Sequence, residues 1–92
     1  MYKGYGYHGS PTRMKSKANE EIVPNPPAGH TTKYEFYKFQ FNNDEDCSVT
    51  INKQNTIFIP AGDGFITDPD DAPITSFVIK EANITYNWAA AY

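Results

Sequence analysis

The sequence predicts a small all-β protein, an antiparallel β-sandwich or barrel of about six strands with an extended, irregular N-terminal arm. Three observations support this fold class. Aromatic residues make up 15% of the chain, which favours strands. From residue 31 onward, short apolar runs alternate with turn residues at spacings of about ten residues. Before that point, glycines and prolines interrupt every candidate element.

Residues 1–30 are predicted to form the arm, which has no core of its own. Tyrosines alternate with glycine near its start, and residues 24–27 are expected to be extended in the manner of polyproline. An arm of this kind loses conformational entropy when it becomes ordered, so we expect it to be disordered alone and ordered on neighbouring subunits. The predicted contact residues of the arm are Tyr2, Tyr5, Tyr7, Ile22 and Val23.

Residues 31–92 are predicted to form the β domain, beginning with a long strand over residues 31–41. Tyr34 and Phe36 share one face of this strand, whereas the aromatic residues from position 37 onward fall on the other. Either a bulge near Phe36 and Tyr37 restores the alignment, or one face packs on the core and the other on a partner. Tyr34 and Phe36 are therefore further candidate contact residues.

The next two strands are predicted to form a hairpin around the loop at residues 52–55. In the first, Cys47, Val49 and Ile51 alternate with polar residues and should point inward. In the second, Ile57 and Ile59 should point inward and Phe58 outward, which makes Phe58 a candidate contact residue.

The last part of the chain continues the pattern of strand and turn. A glycine-containing turn at residues 60–64 precedes a short strand at 65–67, and an acidic loop at 68–73 precedes a strand at 74–80. The final strand, residues 84–88, aligns Ile84, Tyr86 and Trp88 on one face. We expect Trp88 to belong to the core.

No catalytic, cofactor-binding or metal-binding residue is predicted, and the protein is not expected to be an enzyme. The single cysteine, Cys47, excludes an internal disulfide and is expected to be a small buried residue. A nucleophilic triad would need His8 or His30, and both lie in the arm. The acidic runs at 44–46 and 68–71 lack the frame of a calcium loop and are expected to be solvated turns.

Charge is divided unevenly between the two parts. Residues 1–32 hold four basic and two acidic residues, net +2, whereas residues 33–92 hold four basic and nine acidic residues, net −5. The arm therefore suits an acidic partner or a neighbour's body, and nucleic acid is not an expected partner. The chain shows no apolar signal region and no stretch long enough to span a bilayer, so we expect it to be made and kept in a cytoplasm and to have no membrane partner.

The later strands resemble a small β module of structural proteins from tailed bacteriophages. The residues that carry the resemblance are Cys47 to Asn52, Ile57 to Phe65, Pro73 to Ala82 and Ile84 to Trp88. The resemblance covers about the last half of the chain and implies a sandwich or barrel with no enzymatic role. It also implies a location in the virion and contacts with major capsid, neck or tail subunits.

We therefore expect a virion structural protein, either a capsid decoration or cement protein or a head–tail or tail component. Its β domain and arm would bind neighbouring subunits, as a homo-oligomer or an array within the particle. The alternative is a carbohydrate- or receptor-binding module of a phage fibre, with Trp88, Tyr86 and Phe58 forming a platform.

Overall fold

A computed structural model describes residues 6–24, 34–68 and 70–92 of the chain. These residues contain nine β-strands and no helix. The strands are β1 (Tyr7–Gly9), β2 (Met14–Lys15), β3 (Glu20–Glu21), β4 (Lys38–Asn43), β5 (Cys47–Ile51), β6 (Thr56–Ile59), β7 (Phe65–Ile66), β8 (Phe77–Ile79) and β9 (Thr85–Ala91). Within the described part, no helix could cross a membrane.

The strands form two antiparallel sheets, so the predicted all-β sandwich is confirmed. The first sheet has the order β1-β9-β4-β7, with β2 also pairing with β9, and the second has the order β3-β8-β5-β6. Phenylalanines of β4 meet Phe77 of β8 across the interface, with ring centroids 5.0 Å away for Phe39 and 4.8 Å away for Phe41. The two sheets therefore pack face to face through aromatic side chains.

The core is built from the inward-facing residues of both sheets. Phe41, Val49, Phe77 and Ile79 are completely buried, and Trp88 is 7% exposed. Alternation of buried and exposed residues along β4 and β5 matches the inward and outward faces that the sequence predicted. Trp88 belongs to the core, as predicted.

The described part of the arm is joined to this core, which corrects the expectation that these residues become ordered only on neighbouring subunits. Within residues 6–24, β1 and β2 pair with β9 in the first sheet, and β3 pairs with β8 in the second. The segment is extended and mostly irregular, but it crosses from one sheet to the other and closes the same globule. The predicted boundary between residues 30 and 31 lies outside the described residues.

A buried serine fixes this crossing. Ser16 is 4% exposed, and its hydroxyl donates to the Glu81 carbonyl at 2.7 Å and accepts from the Ile84 amide at 3.0 Å. Its backbone also accepts from the Asn83 amide and donates to the Ile84 carbonyl. Ser16 thus holds the arm segment against the turn between β8 and β9.

The change of parity in the first predicted strand is resolved by a bend. Phe36 forms an isolated bridge with Ile74, the chain bends at Tyr37, and β4 starts at Lys38. As a result Phe36 and Phe39 both lie in the core, with exposed fractions of 0% and 2%. The structure therefore has a bend at Tyr37, not the predicted bulge, and this bend brings both apolar sets onto the core.

Positive φ angles mark two of the predicted turns. Asn52 and Lys53 have φ of 53° and 57°, and the Gln54 amide donates to the Ile51 carbonyl, as in a type I′ hairpin turn. In the turn before β7, Gly64 has φ of 68°, and a Cβ there would lie 2.6 Å from the Phe41 carbonyl oxygen. This position therefore requires glycine.

Candidate protein-binding surfaces

The predicted contact residues divide into exposed and buried groups. Tyr7 is 88% exposed and Phe58 is 62% exposed, so both can reach a partner. Tyr2 and Tyr5 lie outside the described residues. The remaining predicted contacts lie in or against the core.

Three of those predictions are corrected by burial. Ile22 and Val23 are 7% and 8% exposed and belong to the core, and Phe36 is fully buried. The Ile22 amide donates to the Phe77 carbonyl, which holds the arm beside β8. These apolar side chains fill space within their own globule, so they are not available to neighbouring subunits in this conformation.

Tyr34 closes one end of the core. Its ring meets Tyr92 edge-on, with centroids 4.8 Å apart, and lies 5.3 Å from the imidazole of His8. Burial raises the pKa of the Tyr34 hydroxyl, and the charge and hydrogen bond of Tyr92 add smaller contributions in the same direction. His8 in turn stacks on Trp88 with an interplanar angle of 9°. These contacts make Tyr34 mainly a packing residue.

The outer side of the first sheet carries an apolar depression that the sequence analysis missed. The strand register places Tyr7 beside Ala91, and Ala89 beside Gln40, which in turn pairs with Ile66. Paired residues project from the same side of a sheet, so small alanines form a floor between two large walls. We call this surface the alanine face; it comprises Tyr7, Lys38, Gln40, Ile66, Thr67, Ala89 and Ala91.

The alanine face is open and carries little charge. Its depression has a volume of about 240 Å³, and the walls Tyr7 and Ile66 are 88% and 68% exposed. Lys38 is the only charged side chain among the residues lining it. The signal available in the sequence was the pair of small residues at alternate positions in the final strand, opposite an outward isoleucine.

A close backbone contact supports one side of this face. A Cβ on Gly9 would lie 2.5 Å from the Trp88 carbonyl oxygen and 3.1 Å from the Ala89 Cα. Such distances are too short for a side chain, so glycine lets β1 lie close against β9. This contact positions Tyr7 beside the alanine floor.

A second exposed apolar region lies on β6, at the edge of the second sheet. Phe58 is 62% exposed, and Ile57 is 38% exposed although its register with Val49 directs it inward. The prediction that Phe58 points outward is confirmed. The predicted inward direction of Ile57 is confirmed by its register with Val49, but the side chain stays partly exposed, because β6 ends the sheet and no further strand of the described residues covers it.

The acidic residues of the 44–46 turn bind other parts of their own chain, a guanidinium and two backbone amides. Asp44 accepts from Arg13 at 2.6 Å, Glu45 accepts from the Thr85 amide at 2.6 Å, and Asp46 accepts from the Ala61 amide at 2.7 Å. Each carboxylate therefore fixes a different neighbouring segment. Among the described residues, no cluster of histidine, cysteine and acidic side chains could hold a metal ion.

Cys47 is placed where a thiol is chemically inert. It is 1% exposed and unpaired. Burial, followed by the negative charge of Glu81, raises the pKa of Cys47 to about 11. Because the thiolate is the reactive form, this environment does not activate the sulfur as a nucleophile.

The platform predicted for carbohydrate binding does not form. Tyr86 and Trp88 are 3% and 7% exposed within the core, while Phe58 lies on the other sheet. The pKa of the Tyr86 hydroxyl is raised to about 12, chiefly by burial and then by the charge and hydrogen bond of Glu20. Neither ring presents a flat face to solvent, so these three residues cannot stack together on a sugar.

Comparison with family models, curated proteins and solved structures gives no match to this chain. The resemblance to phage structural modules therefore stays a prediction from the sequence.

Proposed function

We propose that this protein is a virion structural subunit without enzymatic activity, which binds neighbouring subunits through the alanine face. The observation that carries the proposal is the exposed apolar depression between Tyr7 and Ile66, on a sheet whose opposite side packs on the core. Water-exposed apolar surface gathered around a concave floor is typical of protein contact sites. The phage setting depends on the sequence resemblance described above.

The shape and charge of the alanine face limit what can occupy it. Ala89 is exposed whereas Ala91 is 2% exposed, so the open space lies above Ala89 and suits about one apolar side chain of a partner. The ammonium of Lys38 stands at the border and favours a carboxylate beside those side chains. We therefore expect a partner segment with an apolar anchor next to Asp or Glu, contributed by a capsid, neck or tail subunit.

The remaining arm residues fit the same role. Tyr7 forms one wall of the alanine face, where the partner would bind. Tyr2 and Tyr5 are the next tyrosines along the chain, and in this proposal they extend the contact surface. Tyrosine suits this purpose because it offers a large contact area with few rotatable bonds.

The location is tested by mass spectrometry of particles produced by the genome that encodes this chain. We expect the protein to copurify with the particles at a fixed copy number. Hundreds of copies identify a capsid component, and about six or twelve identify a ring of the neck or tail. Absence from purified particles contradicts the proposal.

The surface is tested by the substitution Ala89→Lys, which fills the depression with a charged side chain. We expect its incorporation into particles to fall by at least about tenfold, a free energy near 1.4 kcal/mol. Ala82→Lys is the matched control, because Ala82 is exposed in the turn between β8 and β9, away from this face. Equal incorporation of the two variants would show that the alanine face is not the contact.

A further inference from the structure

The free edge of the second sheet offers a different binding surface from the alanine face. β6 pairs only with β5, and within the described chain no strand lies on its other side. Every residue from Lys53 to Phe58 is exposed. The edge therefore presents a continuous stretch of accessible backbone.

Hydrogen bonds around β5 show which backbone groups of β6 point outward. The Lys80 amide donates to the Ser48 carbonyl, and the Asn52 amide donates to the Ser76 carbonyl, so the even-numbered residues of β5 face β8. Since backbone groups alternate in direction along a strand, the odd-numbered residues face β6. Val49 pairs with Ile57 and Cys47 with Ile59, which leaves the backbone groups of Thr56 and Phe58 directed away from β5.

The side chains of this edge lack the usual protection against pairing. Exposed edge strands commonly carry charged residues, proline or a bulge that prevents addition of another strand. β6 is Thr-Ile-Phe-Ile, with no charge and no proline within it. Its residues are mostly β-branched or aromatic, which favours strand pairing.

We propose that β6 pairs antiparallel with β6 of a second copy of this chain, about a two-fold axis at Ile57. In this register Thr56 of each copy lies opposite Phe58 of the other, and Ile57 lies opposite its own equivalent. Thr56 and Phe58 are the residues whose backbone groups point outward, so each facing pair exchanges two hydrogen bonds, four in total. The two sheets then join into one sheet of eight strands.

Charge complementarity favours a second copy over another strand-forming partner. At one end of β6 lies Lys53, and just beyond the other end lie the exposed carboxylates of Asp46 and Asp63. Antiparallel pairing about this axis turns the Lys53 end of each β6 toward the acidic end of the other copy, where Asp46 accepts from the Ala61 amide at 2.7 Å. The two-fold axis forms this attraction twice, which offsets part of the repulsion between chains of net charge −3.

The size of the edge limits the strength of the dimer. Pro60 has no amide hydrogen and ends the run of outward donors, so only a short segment can pair. An interface this small belongs to the weak class, with an expected Kd of about 10 μM to 1 mM. This pairing is independent of the proposed virion role, because it is a property of the purified chain in solution.

The test is sedimentation equilibrium of the full chain over a range of concentrations spanning the expected Kd. We expect a monomer–dimer equilibrium that Phe58→Lys weakens by at least about tenfold, because it places two like charges at the new interface. Met14→Lys is the matched control, since Met14 is also an exposed apolar residue on a short strand, but in the first sheet and outside the alanine face. It should leave dimerisation unchanged.

Amide hydrogen exchange gives a second readout that identifies the strand directly. In a dimer, protection of the Thr56 and Phe58 amides should rise with protein concentration, while exposed amides on other turns should not change. A chain that stays monomeric throughout the range overturns the proposal. So does a dimer that Met14→Lys weakens and Phe58→Lys does not.

Discussion

Asn43 is expected to be the polar side chain on which the fold depends most. It is 1% exposed, and its amide nitrogen donates to the carbonyls of Glu45 at 2.8 Å, Ile59 at 3.1 Å and Pro60 at 3.1 Å. Its side-chain oxygen accepts from the Gly64 amide at 3.0 Å. A single side chain therefore joins the end of β4 to the end of β6 and to the turn before β7.

The substitution Asn43→Ala removes all of these interactions at once. The amide has two hydrogens and one accepting oxygen, so about three hydrogen bonds are lost, each with a net value near 1 kcal/mol. Buried carbonyls left without donors add a further penalty. We expect a decrease of about 3–4 kcal/mol in the free energy of unfolding, and a Tm lowered by roughly 12–32 °C for a domain of this size.

Chemical and thermal denaturation followed by circular dichroism measure this loss. Asn42→Ala is the matched control, because Asn42 is the neighbouring asparagine and is only half-buried. We expect this control to change the free energy of unfolding by less than about 0.5 kcal/mol. A loss below 1 kcal/mol for Asn43→Ala would refute the argument, since it would mean that the carbonyls find other donors.

Asn43→Asp provides a test of the same site by pH. The introduced carboxylate would face three carbonyl oxygens, so its folded-state pKa should be raised above its unfolded value. The stability of this variant is then greatest at acid pH, where the group is protonated, and falls as pH rises through the folded-state pKa. Stability that is independent of pH would indicate that the side chain has turned away from the carbonyls.

Three further predictions concern the arm, the thiol and a buried phenol. Ile22→Ala should lower the free energy of unfolding by about 2–4 kcal/mol, whereas Tyr7→Ala should change it by less than about 0.5 kcal/mol. Urea denaturation measures both values. Equal small effects would mean that Ile22 is not part of the core. The Cys47 thiol has a pKa of about 11, so at pH 8 it should react with a thiol reagent at least about 100-fold more slowly in the folded than in the unfolded chain. Rapid labelling of the folded chain would contradict its burial. Tyr86 has a pKa raised from 10.0 to about 12, so its contribution to stability is fully present below pH 10 and is lost as pH rises toward 12. In denaturation measured across this pH range, Tyr86→Phe should reduce the alkaline loss of stability. An unchanged loss would exclude Tyr86 as its source.

The hydrogen bonds of Asn43 and Asn52 show why turns are harder to predict than strands. Both residues were expected in polar turns, where asparagine is common. In the structure, however, the Asn52 side chain donates to the Pro73 carbonyl at 2.8 Å and accepts from the Thr75 amide at 2.8 Å. These partners are more than twenty residues away, so local sequence pattern contains no information about them.

The arm also depends on partners that are distant in the sequence, over a whole segment and not a single side chain. Its glycines and prolines correctly indicated a segment without regular periodicity, because they interrupt both helix and strand patterns. The segment nevertheless pairs with β8 and β9, whose residues lie some sixty to eighty positions later in the chain. Ile22 and Val23 therefore looked like free apolar residues when only their neighbours in the sequence were considered.

By itself, the sequence determined the fold class, the inward faces of the central strands, and the outward direction of Phe58. These features follow from a period of two residues and from turn residues, both of which are local. Only the tertiary structure decided that residues 6–24 of the arm join the core, that Ala89 and Ile66 form one surface, and that β6 is an edge strand among the described residues. Those features depend on which strands lie side by side, and strand order is fixed by long-range packing that no short stretch of sequence encodes.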